Sequence, residues 1–150
     1  AAANGHGARG ELAERLSELA LASQSRGKTS EAGRLYRDAA EETEKAFGRG
    51  DPLTAARLAD WGLHLERTER YAEAEAVYRR ALAILEKAYP PGHPRRDAAL
   101  NALGLFLEAR GRYPEAEEAY KRALAEAGPR RSEAARNHEA LLRRLGRETP

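Results

Sequence analysis

The chain of 150 residues has no cysteine, no methionine, one tryptophan and two phenylalanines. Without cysteine there is neither a disulfide nor a thiolate metal site, and the redox compartment is left open. No apolar run approaches the ~20 residues a membrane-spanning helix needs, so no membrane segment is expected. With so few large aromatics, a core must be built mainly from alanine, leucine and tyrosine, which suits helices that approach closely. The net charge of +2 is too small to imply a nucleic-acid partner by itself. Phosphate-cradling glycine loops, HExxH and GxSxG are all missing. His6, His64, His93 and His138 stand on four different elements and repeat nowhere, so no catalytic residue, metal or cofactor is expected. His64 reads as an ordinary surface or edge histidine and His6 as a flexible loop residue. Neighbouring carboxylates such as Glu73 and Glu75, or Glu117 and Glu118, read as solvated faces or ion pairs. Arg49-Gly50-Asp51 reads as turn chemistry.

What is present is a repeat. Residues 70–86 read RYAEAEAVYRRALAILE, residues 28–44 KTSEAGRLYRDAAEETE and residues 112–128 RYPEAEEAYKRALAEAG, each 42 residues from the next. Glu31, Glu73 and Glu115 align, as do Ala32, Ala74 and Ala116, then Tyr36, Tyr78 and Tyr120, then Ala39, Ala81 and Ala123. A fixed period of this length marks a repeat array. With 41% hydrophobic and 33% charged residues, the chain reads as soluble and globular rather than disordered.

The spacing predicts seven helices. Leu12, Leu16, Leu19, Ala20 and Ser23 give the inward stripe of a first helix from Glu11 to about Arg26, ended by Gly27. Thr29 or Ser30 is expected to cap the second, which runs to Phe47 with Ala32, Leu35, Tyr36, Ala39 and Thr43 inward. Asp51-Pro52 opens the third, to about Thr68, with Leu58, Trp61, Gly62 and Leu65 inward. Gly62 aligns with Ala20 and Gly104, which reads as a point where the partner helix crosses closest. The fourth spans about Tyr71 to Tyr89, and Tyr78 is expected to be buried. His93-Pro94 repeats the Asp51-Pro52 start, and the fifth carries Leu100, Leu103, Gly104 and Leu107 inward. Pro114 begins the sixth, and a seventh from about Arg131 to Leu145 closes the array. The domain division is a tail over 1–10, units over about 11–50, 51–92 and 93–129, a capping helix over 130–147 and a tail over 148–150.

Leu58, Trp61, Gly62, Leu65, Ala74, Tyr78 and Ala81 fall on signature positions, and through them the chain resembles the tetratricopeptide repeat over about Glu11 to Arg147. The 42-residue period, the long second helices and the AYPPGHP junction at 88–94 are similar to the kinesin light chain type of that repeat. That subtype often carries a pair of asparagines on the first helix; here Asn101 is present, while Ser17-Glu18 and Ala59-Asp60 stand at the equivalent sites. The resemblance implies an all-α, right-handed solenoid of antiparallel helix pairs with a concave groove lined by the first helices.

Spacing independently leaves a second stripe at i, i+4 and i+7 on each first helix. It holds Ser17, Leu21 and Gln24; Ala59, Leu63 and Glu66; Asn101, Leu105 and Glu108. Glu14, Glu18, Asp60 and Arg67 lie beside it. A row of leucines with acidic neighbours fits an extended or helical protein segment with apolar anchors and Lys or Arg flanks. The expected function is therefore a non-enzymatic protein-binding module. The alternative is a structural spacer or self-association unit, with the arginine-rich last helix (Arg130, Arg131, Arg136, Arg143, Arg144, Arg147) as a site for an acidic partner or nucleic acid. No aromatic residue is interleaved with those arginines for base stacking, and Glu133, Glu139 and Glu148 dilute the charge, which argues against nucleic acid. The oligomeric state is left open.

Overall fold

The computed structural model describes residues 2–127 and 133–147, with side chains from Gly7 onward. Seven helices and no strands occur among the described residues: α1 Ala2–Ser25, α2 Thr29–Phe47, α3 Pro52–Arg67, α4 Tyr71–Ala88, α5 Pro94–Ala109, α6 Tyr113–Ala127 and α7 Glu133–Arg144. The chain divides into two compact units, residues 1–84 and 85–150, with the boundary inside α4. The expected tail at 148–150 and the junction around Gly128-Pro129 lie outside the described residues.

One turn recurs at the end of every odd-numbered helix. The amides of Lys28, Arg70, Arg112 and Arg147 reach back to the carbonyls of Ser23, Leu65, Leu107 and Leu142 at 2.8–2.9 Å. Gly27, Glu69, Gly111 and Gly146 take the left-handed position at φ 75°, 62°, 74° and 69°. This is the Schellman closure, which satisfies carbonyls the helix itself leaves open. The basic residue that follows then pairs with a glutamate in the first turn of the next helix: Arg70 with Glu73 at 2.7 Å and Arg112 with Glu115 at 2.6 Å. The opposite junction is also built locally. Asp51 accepts from the Leu53 amide and His93 from the Arg95 amide, each ahead of a proline at the helix start. α2 departs from expectation: its N-cap is Lys28, with no side-chain bond, rather than Thr29 or Ser30.

In the first unit, Ala20, Ala32 and Tyr36 form a cluster with Leu35 and Trp61 packed against it. Leu58 and Leu65 of α3 and Ala39 and Thr43 of α2 are buried as expected. Thr43 bonds the Ala39 carbonyl at 2.7 Å, and Arg80 of α4 reaches Glu44 of α2 at 2.7 Å. α1 corrects the sequence reading twice. It starts at Ala2, where a tail was expected to run to residue 10. Its buried face is Ala13, Ser17, Ala20 and Ser23, while Leu12 and Leu19 are 48% and 53% exposed. The reason is close packing: a Cβ on Gly10 would lie 3.0 Å from the Phe47 ring, so small residues face α2 there.

In the second unit, Leu100, Leu103, Phe106 and Leu107 of α5 pack with Ala116, Ala119, Tyr120 and Ala123 of α6 and with Ala134, Leu141 and Leu142 of α7. Arg96 is buried. It pairs with Glu126 at 2.6 Å and also bonds the Tyr89 carbonyl at 3.2 Å. Gly92, at φ 83°, lies where any Cβ would meet the Glu126 carbonyl. The recurring small residue has a different cause from the one expected. A Cβ on Gly62 would lie 2.8 Å from the Tyr78 ring, and one on Gly104 would collide with Tyr120. Each glycine makes room for a tyrosine ring rather than for a helix crossing. Tyr120 is fully buried, whereas Tyr78 is only half-buried.

Candidate functional site

The exposed stripe of the first unit lies on α1 and α3. Leu21 is 56% and Leu63 43% exposed, large apolar side chains that the core does not use. Glu18, Ala59, Asp60 and Arg67 are exposed with them. Ser17 is buried, which removes it from the expected lining. Two polar members are held from within. Glu66 accepts a 2.9 Å bond from the Tyr78 hydroxyl, and Gln24 faces the His64 ring at 3.4 Å. Burial pushes the Asp60 carboxyl above its usual range, against Arg57, whose guanidinium lies 3.7 Å away.

Arg57, the partner of Asp60, also lines a cavity of about 510 Å³ with Gly7, Gly10, Glu14, Phe47 and Leu53 among others. The Arg57 Nε is buried and has no hydrogen-bond partner among the described residues. Sequence reasoning missed this cavity, because hydropathy gives no weight to glycines that leave space open. The pairing of Glu14 and Gly10 with Leu53 and Arg57 needs the packing of α1 on α3's neighbour α2.

The corresponding stripe of the second unit lies on α5. Leu105 is 45% exposed. Asn101 is buried and accepts a 2.6 Å bond from Asn137 of α7, so it too leaves the expected lining. Glu108 is engaged twice, by the Tyr120 hydroxyl at 2.8 Å and by Arg144 at 2.6 Å. Arg143, Arg144 and Arg147 at the C-terminal end are likewise drawn into pairs. Arg147 reaches Glu117, whose carboxyl it holds below the usual range, and Arg143 lies 3.7 Å from Glu139. Arg130 and Arg131 lie outside the described residues.

His64 is buried, not a surface or edge residue. Its position is that of Phe106 one period later, and its ring packs 5.3 Å from that of Tyr36. Desolvation lowers its pKa. No cluster of three or more potential metal ligands occurs among the described residues, and no described helix is long and apolar enough to cross a membrane.

The repeat pattern matches the model of the tetratricopeptide repeat over residues 11–87 and again over 54–127. The chain belongs to the tetratricopeptide repeat family. Among solved structures, BtubC (BKLC) from P. vanneervenii is 18% identical with a TM-score of 0.76, covering 90% of this chain and 57% of its own. This chain therefore spans little more than half the length of that protein. A putative kinesin light chain from Podosopora anserina with nearly identical TPR-like repeats is 23% identical, TM-score 0.73, covering 92% of this chain and 68% of its own. The first tetratricopeptide repeat domain of Spaghetti (RPAP3), solved with the HSP90 peptide SRMEEVD, is 22% identical, TM-score 0.61, covering 89% and 93%. At these identities the likeness shows the fold, an all-α solenoid of helix pairs. No curated protein sequence matches.

Within the tetratricopeptide pattern, the glutamate twelve residues before the tyrosine has a recurring task. Glu66 serves Tyr78 and Glu108 serves Tyr120. In the first repeat Gln24 stands in the same place before Tyr36 and faces His64 instead. The acid row expected to point outward is thus partly turned onto the tyrosines, which the spacing alone does not reveal.

Proposed function

We propose that this tetratricopeptide repeat domain is a protein-interaction module without enzymatic activity, which holds a partner segment on the exposed stripes of its first helices. The observation that carries this reading is the recurrence of Leu21, Leu63 and Leu105 at 42-residue intervals, each about half exposed beside buried neighbours. Exposed large apolar side chains repeated in register mark an interaction surface better than single scattered ones do. Leu21, Leu63 and Leu105 supply the apolar contact. Glu18, Asp60 and Arg67 are exposed and set polarity at the rim, the two acids through only long contacts with Arg15 and Arg57, while Gln24, Glu66 and Glu108 are engaged by His64, Tyr78 and Tyr120. Acidic Glu18 and Asp60 favour a segment with Lys or Arg flanks. The Spaghetti domain, solved with a short HSP90 peptide, supports the general reading that a domain of this fold takes a peptide partner.

The test is Leu21→Ala with Leu63→Ala in one chain and Leu105→Ala in another, each checked for an unchanged helical melt. Partner capture should fall in the first, and unchanged capture by folded variants would refute the assignment. A second reading, self-association, is favoured by Leu12 and Leu19. One period on, the same positions are Thr54 and Trp61, which are buried and half-buried against the region of α2. Light scattering across a concentration series separates the two: a concentration-dependent mass lost in Leu12→Ser/Leu19→Ser would support self-association.

A further inference from the structure

A second cavity of the first unit lies away from the leucine stripe, between the start of α2, the end of α3 and the start of α4. Its volume is about 620 Å³, and Arg34, Arg37 and Arg70 stand in its wall with Thr29 and Ser30. Trp61 and His64 line it as well. The charge accounting is one-sided. Glu73 is the single acid in the lining, and it is taken up by Arg70 through contacts of 2.7 and 2.8 Å. Arg37 makes only a 3.4 Å contact with its neighbour Asp38 and one of 4.0 Å with Glu41. Arg34 pairs with no acid among the described residues. Both are charged at all accessible pH values and present planar donors suited to oxyanions. Desolvation lowers the pKa of the buried His64; a backbone hydrogen bond with Thr29 opposes this, and the charges of Arg67 and Arg70 add to the lowering.

We propose that this cavity is a binding site for a phosphate monoester. A phosphate dianion pairs with the Arg34 guanidinium and replaces the long contacts that Arg37 makes with Asp38 and Glu41, and the Thr29 and Ser30 hydroxyls donate to its remaining oxygens. The cavity is far larger than a phosphate ion and has the Trp61 indole along one side, which leaves room for the group that carries the phosphate. The proposal does not depend on the leucine stripe, which lies on the other side of α3.

Trp61 is the one tryptophan in the chain, so its indole N–H gives a single, assignable NMR signal. The experiment follows that signal and the His64 imidazole while inorganic phosphate, and separately O-phosphoserine, is titrated against sodium chloride at constant ionic strength. Saturable shifts are expected with phosphoserine, together with a rise in the His64 pKa as the anion offsets the positive field. Arg34→Gln/Arg37→Gln, at exposed positions that leave the fold intact, should weaken binding roughly tenfold or more, since two charge-assisted contacts are lost. If inorganic phosphate saturates the site and phosphoserine does not, the site takes the free ion and the monoester assignment fails. Absence of any saturable shift, or equal affinity in the double variant, overturns the proposal outright. Loss of partner capture on the leucine stripe would leave it untouched.

Discussion

Glu69 holds a backbone conformation that three other hairpin turns give to glycine. Its φ of 62° matches those of Gly27, Gly111 and Gly146, and a Cβ in this region meets the following carbonyl at a cost of roughly 1–2 kcal/mol. Glu69→Gly relieves that clash but widens the unfolded ensemble, so a net gain of about 0.5–1 kcal/mol is expected in urea unfolding. A loss would mean that the Glu69 side chain makes a compensating contact. His64 provides the pH counterpart. Burial lowers its folded pKa below the unfolded value of about 6.5. The unfolded chain then binds the proton more readily, so the contribution is complete above that value and is lost as pH falls from there through the lower folded value. The stability of the wild type should decline on acidification below about pH 6.5, and His64→Gln should flatten that limb. An unchanged acid limb would show that carboxylates alone set it. Neither residue could be read from the sequence: Glu69 stands at a turn whose need for positive φ appears only when the four turns are overlaid, and His64 occupies a core position that its residue type disguises.

At the scale of the helices, legibility followed residue size. α2 to α6 lie within one or two residues of the expected spans, because Gly27, Asp51-Pro52, Pro90-Pro91-Gly92 and Gly111 punctuate them. The inward stripe of α5 was legible because Leu100, Leu103 and Leu107 are large. α1 was legible only in part: Ala20 and Ser23 are buried as expected, but close packing on α2 also selects Ala13 and Ser17 and leaves Leu12 and Leu19 outside. Hydropathy ranks those residues the other way round. The α4–α5 junction is held by a device that no periodicity announces, the buried Arg96–Glu126 pair under Gly92. Removing one partner strands a buried charge, so Glu126→Gln should cost roughly 3 kcal/mol or more in chemical denaturation. A cost under about 1 kcal/mol would mean that water reaches Arg96 and screens it.

For the molecule as a whole, the repeat was legible at once and the site only in outline. A 42-residue period fixes the family, but which polar residues stay free depends on cross-helix bonds made far along the chain. Ser17 and Asn101 are drawn inside, and Glu66 and Glu108 are turned toward Tyr78 and Tyr120, while Leu21, Leu63, Leu105 and Asp60 remain outward. The account rests on those leucines meeting a partner. The measurement that tests this most directly is photo-crosslinking in cell extract with a benzophenone side chain placed at Leu63, compared with the same probe at Ala83, an exposed position on α4. The account predicts a discrete protein adduct from position 63 that Asp60→Lys diminishes, and none from position 83. Equal adducts from both positions, or one from position 83 alone, would contradict it.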